Sequence, residues 1–324
     1  MLDRPRARTG RSGGSLVSGQ EFLTGVNLPW IDYGGDFGAN AWSPQGGLSR
    51  PEARGRLQGH LEGLARSGVR CMRWFLFCDG RAGLRFGRDG VAMGLDPFVL
   101  DDLDVAVEVA HGNGIRLIFV LLDFLWFAPA RHLRGAQMGG HAAAVRNERS
   151  RRQLLDEVVQ PVLERFGRSE TVLAWDVVNE PEWAVRSVRR WSPRHTVSRA
   201  EMRALIGDVV KRVHHTTVQA ATVGSAGARG LALVRGLDLD FYQLHWYDTI
   251  EAEIPLGQPV AALDLDRPVL LGEFPTRGSA RAPSEILQTA LRSGYAGALA
   301  WSALAEDRFS DGAASQILGA TLTA

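Results

Sequence analysis

Eight short apolar runs alternate with helix-patterned stretches along this chain, and that alternation limits the fold more than any other feature. The runs cover residues 21–28, 69–77, 115–122, 172–178, 219–225, 239–244, 268–272 and 296–300. Their length, β-branched content and bounding glycines read as strands. Between them, residues 51–67, 100–111, 147–166, 199–214, 284–293 and 310–318 carry helical patterns. The fifth and sixth gaps offer only 229–235 and 260–263 for short helices. Gly68, Gly112, Gly167 and Gly294 follow helical runs, where a left-handed closing residue is needed.

Eight strand–helix units in a chain of 324 residues predict a (β/α)8 TIM barrel with long loops at the C-terminal face of the strands. An open doubly wound sheet is the competing arrangement. Against it, the turn Pro29-Trp30-Ile31-Asp32-Tyr33-Gly34-Gly35 lacks a GxGxxG cradle, and no Walker sequence occurs. No Pro/Ser-rich hinge divides the chain, so residues 19–324 are expected to form one domain behind a flexible basic tail at 1–18.

Charge and composition exclude several functions. With 37 Lys and Arg against 36 Asp and Glu, no excess positive charge is available to neutralise phosphates, so nucleic acid is not an expected partner. No run of 18 apolar residues suggests a membrane span, and no signal-peptide segment follows the basic start, which makes a cytoplasmic location the expectation, or a secreted one had a leader been removed. Cys71 and Cys78 fit no zinc or redox spacing and read as core thiols; the eight histidines include no compact metal motif, so neither metal nor cofactor is expected. Arg186, Arg189, Arg190 and Arg194 read as a solvated face rather than a site for an acidic sugar.

Active sites of such barrels form where strands end. The residues there are Asn27 and Trp30, Arg73 with Trp74 and Asp79, Asp123 and Trp126, Asn179 and Glu180, Ser225, His245 and Tyr247, Glu273, and Trp301. Taken singly, Glu180 or Glu273 could be a helix cap or an ion-pair partner. Three strands apart on one ring, they form a pair suited to glycosidic cleavage: one carboxyl protonates the leaving oxygen and the other attacks the anomeric carbon. That chemistry predicts carboxyl groups about 5 to 5.5 Å apart. Among the tryptophans, Trp30, Trp126, Trp183 and Trp301 suit sugar stacking, whereas Trp74 and Trp246 are equally suited to the core.

These motifs resemble the retaining glycoside hydrolases of the large (β/α)8 clan that includes the family 5 cellulases and mannanases. The resemblance implies a β-glycan hydrolase in which Glu180, within Asn179-Glu180-Pro181, is the acid/base and Glu273 the nucleophile. It further implies that Asn179 donates to the sugar 2-hydroxyl and that Arg73 supports the nucleophile. His245 and Tyr247 match the sixth-strand pair, and Trp301 matches the platform under the cleaved sugar. Asp123 departs from the histidine common at the third strand, which implies a different neighbouring subsite. The substrate so implied is a β-linked oligosaccharide or polysaccharide. A transglycosylase with the same two glutamates and a non-catalytic carbohydrate-binding barrel are the alternatives.

Overall fold

A computed structural model describes residues 22–186 and 191–314. Eight parallel strand positions form one sheet: β1 (Leu23–Leu28), β2 (Cys71–Phe75), β3 (Arg116–Asp123), β4 (Val172–Asn179), β5 (Ala220–Thr222 and Gly224–Ser225), β6 (Tyr242–His245), β7 (Val269–Pro275) and β8 (Gly297–Trp301). Each strand pairs with its sequence neighbour, and β8 returns to β1. The first half of β5 pairs with β4 and the second half with β6, which closes the ring.

Around the barrel lie α1 (Pro51–Arg66), α2 (Val99–Gly112), α3 (Glu148–Leu154), α4 (Gln160–Phe166), α5 (Arg199–Thr216), α6 (Ala228–Val234) and α7 (Pro283–Ser293). The helix expected over 147–166 is interrupted by a π turn at Leu155–Val159. The run at 260–263 forms a single 3-10 turn. The helix expected over 310–318 is corrected at its start: Ser310–Asp311 pairs antiparallel with Glu306–Asp307, its Ser310 hydroxyl accepting from Ser302 N at 2.8 Å, and 315–318 lie outside the described residues. The tail at 1–18, with Arg189 and Arg190, lies outside them too, while Arg186 and Arg194 are exposed.

Strand alternation divides the core. One set of side chains packs outward against the helices, and the other fills the barrel. The lower barrel layer is apolar, with Leu23, Cys71, Ile118, Phe241, Leu270 and Leu299. Above it, Asn27, Arg73, Asp176, Thr222, Gln243 and His245 are fully buried polar groups. Such a layer is stable only when its members pair with each other, and it is the floor on which the cleft residues stand. Strand register sets them level: Asn27 lies opposite Arg73, Asp123 opposite Asn179, and His245 opposite Glu273.

Candidate active site

Arg73 is the hub of the buried polar layer. Its Nε donates to Asp176 Oδ2 at 2.9 Å, Nη1 to Asn27 Oδ1 at 3.0 Å and Glu273 Oε1 at 2.8 Å, and Nη2 to Asn179 Oδ1 at 2.7 Å. The flanking carboxylates, Asp176 first and then Glu273, keep the guanidinium charged despite its burial. Gly224 makes this crossing possible, since a Cβ there would lie 2.6 Å from His245 Nε2 and 2.7 Å from Arg73 Nη2.

Glu273 is buried and accepts from both sides: Arg73 on Oε1, and the Tyr247 hydroxyl on Oε2 at 2.8 Å. Burial pushes its carboxyl above the ordinary range, while His245, Arg73 and the Tyr247 hydroxyl pull it back. Burial and the Glu273 charge hold the Tyr247 hydroxyl well above its ordinary value, so it stays a donor.

Glu180 follows the last residue of β4 in a left-handed conformation, φ 48° and ψ 51°. A non-glycine residue adopts this at a cost of roughly 1–2 kcal/mol. Its N–H donates to Gly224 O at 2.8 Å, which ties the turn to β5. Oε2 accepts from Trp183 Nε1 at 2.9 Å, and Oε1 lies 3.0 Å from His245 Nδ1. The same Nδ1 is 3.5 Å from Glu273 Oε1. Burial lowers His245 to about 4, so its imidazole is neutral near pH 7. One oxygen of each glutamate and a His245 nitrogen all lie within 4.8 Å of one another.

A cleft of about 790 Å³ opens above this cluster. Its wall runs from the loops after β1 and β2 (Trp30, Tyr33, Arg81) to those after β5 and β6 (Ala226, Gly227, Thr249, Ile250). Glu180, just past the end of β4, and Glu273, on β7, both line it.

No protein-family model matches the chain. Among solved structures, the β-mannanase from the blue mussel Mytilus edulis superposes with a TM-score of 0.73 at 20% identity, covering 93% of this chain and 90% of that one. The endo-1,4-β-mannanase from Eisenia fetida gives 0.75 at 21% identity over 93% and 90% of the two chains. The chain has the β-mannanase fold. In sequence it is 23% identical over 321 residues to the mannan endo-1,4-β-mannosidase of Mytilus edulis, covering 87% of this chain and 83% of that protein. The enzyme of the same name from Cryptopygus antarcticus is 23% identical over 361 residues, or 95% and 87%. These relatives overturn the cytoplasmic expectation. They are named for cutting within mannan, a polymer too large to cross a membrane intact, so enzymes of their kind meet it outside the cell.

Within this mannanase fold, Glu180, Glu273, Asn179, Asp123, Tyr247, Trp30, Trp183 and Trp301 all line the cleft, and Arg73 and His245 lie directly beneath. Asp123 is held in an unexpected way. Its oxygens accept from Leu125 N and Asn179 Nδ2, each at 2.7 Å, so it orients the Asn179 amide. Burial pushes its carboxyl up to about 7. Trp126 does not line the cleft: it is fully buried against Phe86 and His141 and donates to His141 O at 3.1 Å. The reason is a 3-10 turn at Phe124–Phe127, whose tight period swings Leu125 outward and Trp126 into the core. Trp74 and Trp246 are core residues as well, and Cys78, read as a core thiol, is partly exposed in the cleft wall.

The structure adds residues to those chosen from sequence. Asp176 and Gln243 complete the layer under Arg73, with Gln243 Nε2 donating to Asp176 Oδ2 at 2.8 Å. A charged residue amid the apolar run of β4 was the available signal. Asp307 accepts from Trp301 Nε1 at 2.9 Å, and Phe309 packs on Tyr247 at 4.6 Å between centroids; a short polar hairpin gives no such signal.

Proposed function

We propose that the protein hydrolyses internal β-1,4 linkages of mannan with retention of configuration, Glu273 acting as nucleophile and Glu180 as acid/base. The observation that carries this reading is the approach of Glu180 and Glu273 oxygens to within 4.8 Å, with Arg73 and Tyr247 donating to the two oxygens of Glu273. Direct attack needs carboxyl groups about 5 to 5.5 Å apart, whereas inserting a water needs roughly 6.5–9.5 Å.

The roles divide by surroundings. Two donors serve the ionised form of Glu273, which attacks the anomeric carbon. Glu180, whose oxygens meet the Trp183 indole and the neutral His245 imidazole, protonates the departing oxygen. Once the sugar is bonded to Glu273 that charge is gone, and Glu180 is free to take a proton from the incoming water. Asn179, fixed by Arg73 and Asp123, offers polar contact to the sugar beside the cleavage point, and Trp301 supplies an apolar face. A β-linked polysaccharide suits a cleft walled by several loops of the barrel mouth, and mannan is what the relatives are named for.

The test is digestion of β-1,4-mannan. Wild type should shorten the polymer rapidly while releasing few reducing ends at first. Glu273→Ala should be inactive, and Glu180→Ala should retain most rate only on substrates with good leaving groups. Full activity in either variant would refute the assignment.

A further inference from the structure

Tyr33 is 49% exposed in the cleft wall and is fixed from two sides. The guanidinium carbon of Arg81 lies 3.8 Å from its ring centroid, and Trp30 meets it edge-on at 4.6 Å. Arg81, only 6% exposed, is held in turn by Asp79, with Nε 2.8 Å from Oδ1 and Nη2 on Oδ2. Gly34, at φ +64°, leaves room for it, since a Cβ there would lie 2.4 Å from Arg81 Cδ. Arg81 Nη1 is buried with no hydrogen-bond partner among the described residues.

As a source of stability this arrangement is poor. Desolvation offsets most of the attraction in a buried ion pair, and an unpaired buried N–H costs about 1–3 kcal/mol. Its visible effect is to hold a half-exposed tyrosine ring in one orientation beside the cleft.

We propose that Tyr33, propped by Arg81 and Asp79, is a stacking platform for a hexopyranose unit of the bound glycan, at the β1–β2 end of the cleft and away from the cleaved bond. The proposal rests on the mannan reading above. The C–H face of a sugar ring suits a flat aromatic surface, and a ring already fixed from beneath loses little freedom on binding.

The experiment measures kcat and KM on β-1,4-manno-oligosaccharides of increasing length for wild type, Tyr33→Ala and Tyr33→Phe. Tyr33→Ala is expected to raise KM about three- to tenfold for the longer substrates, with little effect on the shortest one cleaved. Tyr33→Phe keeps the ring and is expected to restore the long-substrate KM. An effect of equal size at every length, or none at any length, would overturn the platform. A wild type that cleaves no member of the series would sink the mannan reading itself, and the platform with it.

Discussion

Arg73 Nη1 stands 2.8 Å from Glu273 Oε1, and the same guanidinium reaches Asp176, Asn27 and Asn179. One side chain therefore fixes the proposed nucleophile and the amide beside the proposed acid/base. A lysine has a single nitrogen and cannot meet four acceptors on three sides. Arg73→Lys is expected to lower kcat on mannan by about 10- to 150-fold, the range for losing hydrogen bonds to a charged group. Arg73→Met would leave Glu273 and Asp176 buried without a cation and should cost about 3–5 kcal/mol of stability, read by denaturant unfolding.

Tyr247 donates to Glu273 Oε2 at 2.8 Å and packs on Phe309. Tyr247→Phe preserves the packing and removes only the donor. The expected result is a fall in kcat of about tenfold or more with a loss of stability of no more than about 1–3 kcal/mol. A wild-type kcat would show that the hydroxyl does nothing for the carboxylate.

Two tryptophans chosen for the same reason should now separate. Trp126 is enclosed in the core, so Trp126→Ala should cost about 3–5 kcal/mol of stability. Trp301 is partly exposed at the cleft and anchored by Asp307, so Trp301→Ala should raise KM with far less effect on unfolding. Chemical denaturation and steady-state kinetics on both variants make the comparison.

Glu182 introduces a pH dependence of stability. It is buried beside Glu180, Oε1 accepts from Ala226 N at 2.6 Å, and burial, with the nearby Glu180 charge, pushes its carboxyl from 4.5 to about 8. Between those values the folded protein holds a proton that the unfolded chain releases, so this carboxyl destabilises the fold progressively as pH rises from about 4.5 to about 8. Glu182→Gln keeps the acceptor and cannot ionise. The variant should lose less melting temperature than wild type between pH 5 and pH 8; parallel curves would contradict this.

The repeating part of the fold was legible because strand and helix periodicities differ. Of the glycines expected to close helices in the left-handed conformation, Gly68 and Gly294 do so, whereas Gly112 is still within α2 and Gly167 is right-handed at φ -63°. All eight runs became barrel strands, though β7 continues past residue 272 through Glu273 to Pro275. What failed depended on geometry with no local period. The turn that buries Trp126 follows a strand end as the cleft residues do, and only its 3-10 winding sets it apart. Ser310 reads as the start of a helix, yet its hydroxyl bonds Ser302 N and is part of a hairpin. The Glu180 and Glu273 positions were readable because a polar residue ending an apolar run is conspicuous. Asp176, buried in mid-strand, became meaningful only once Arg73 was seen across the barrel. The polar layer is formed by residues far apart in sequence, and no local pattern encodes their meeting.

The most direct test of the central claim is the configuration of the first product, followed by NMR as a manno-oligosaccharide is cleaved. Double displacement through Glu273 inverts the anomeric carbon twice, so the β-anomer should appear first and the α-anomer only later, by mutarotation. Initial release of the α-anomer would mean a single displacement by water and would contradict the roles given to Glu180 and Glu273.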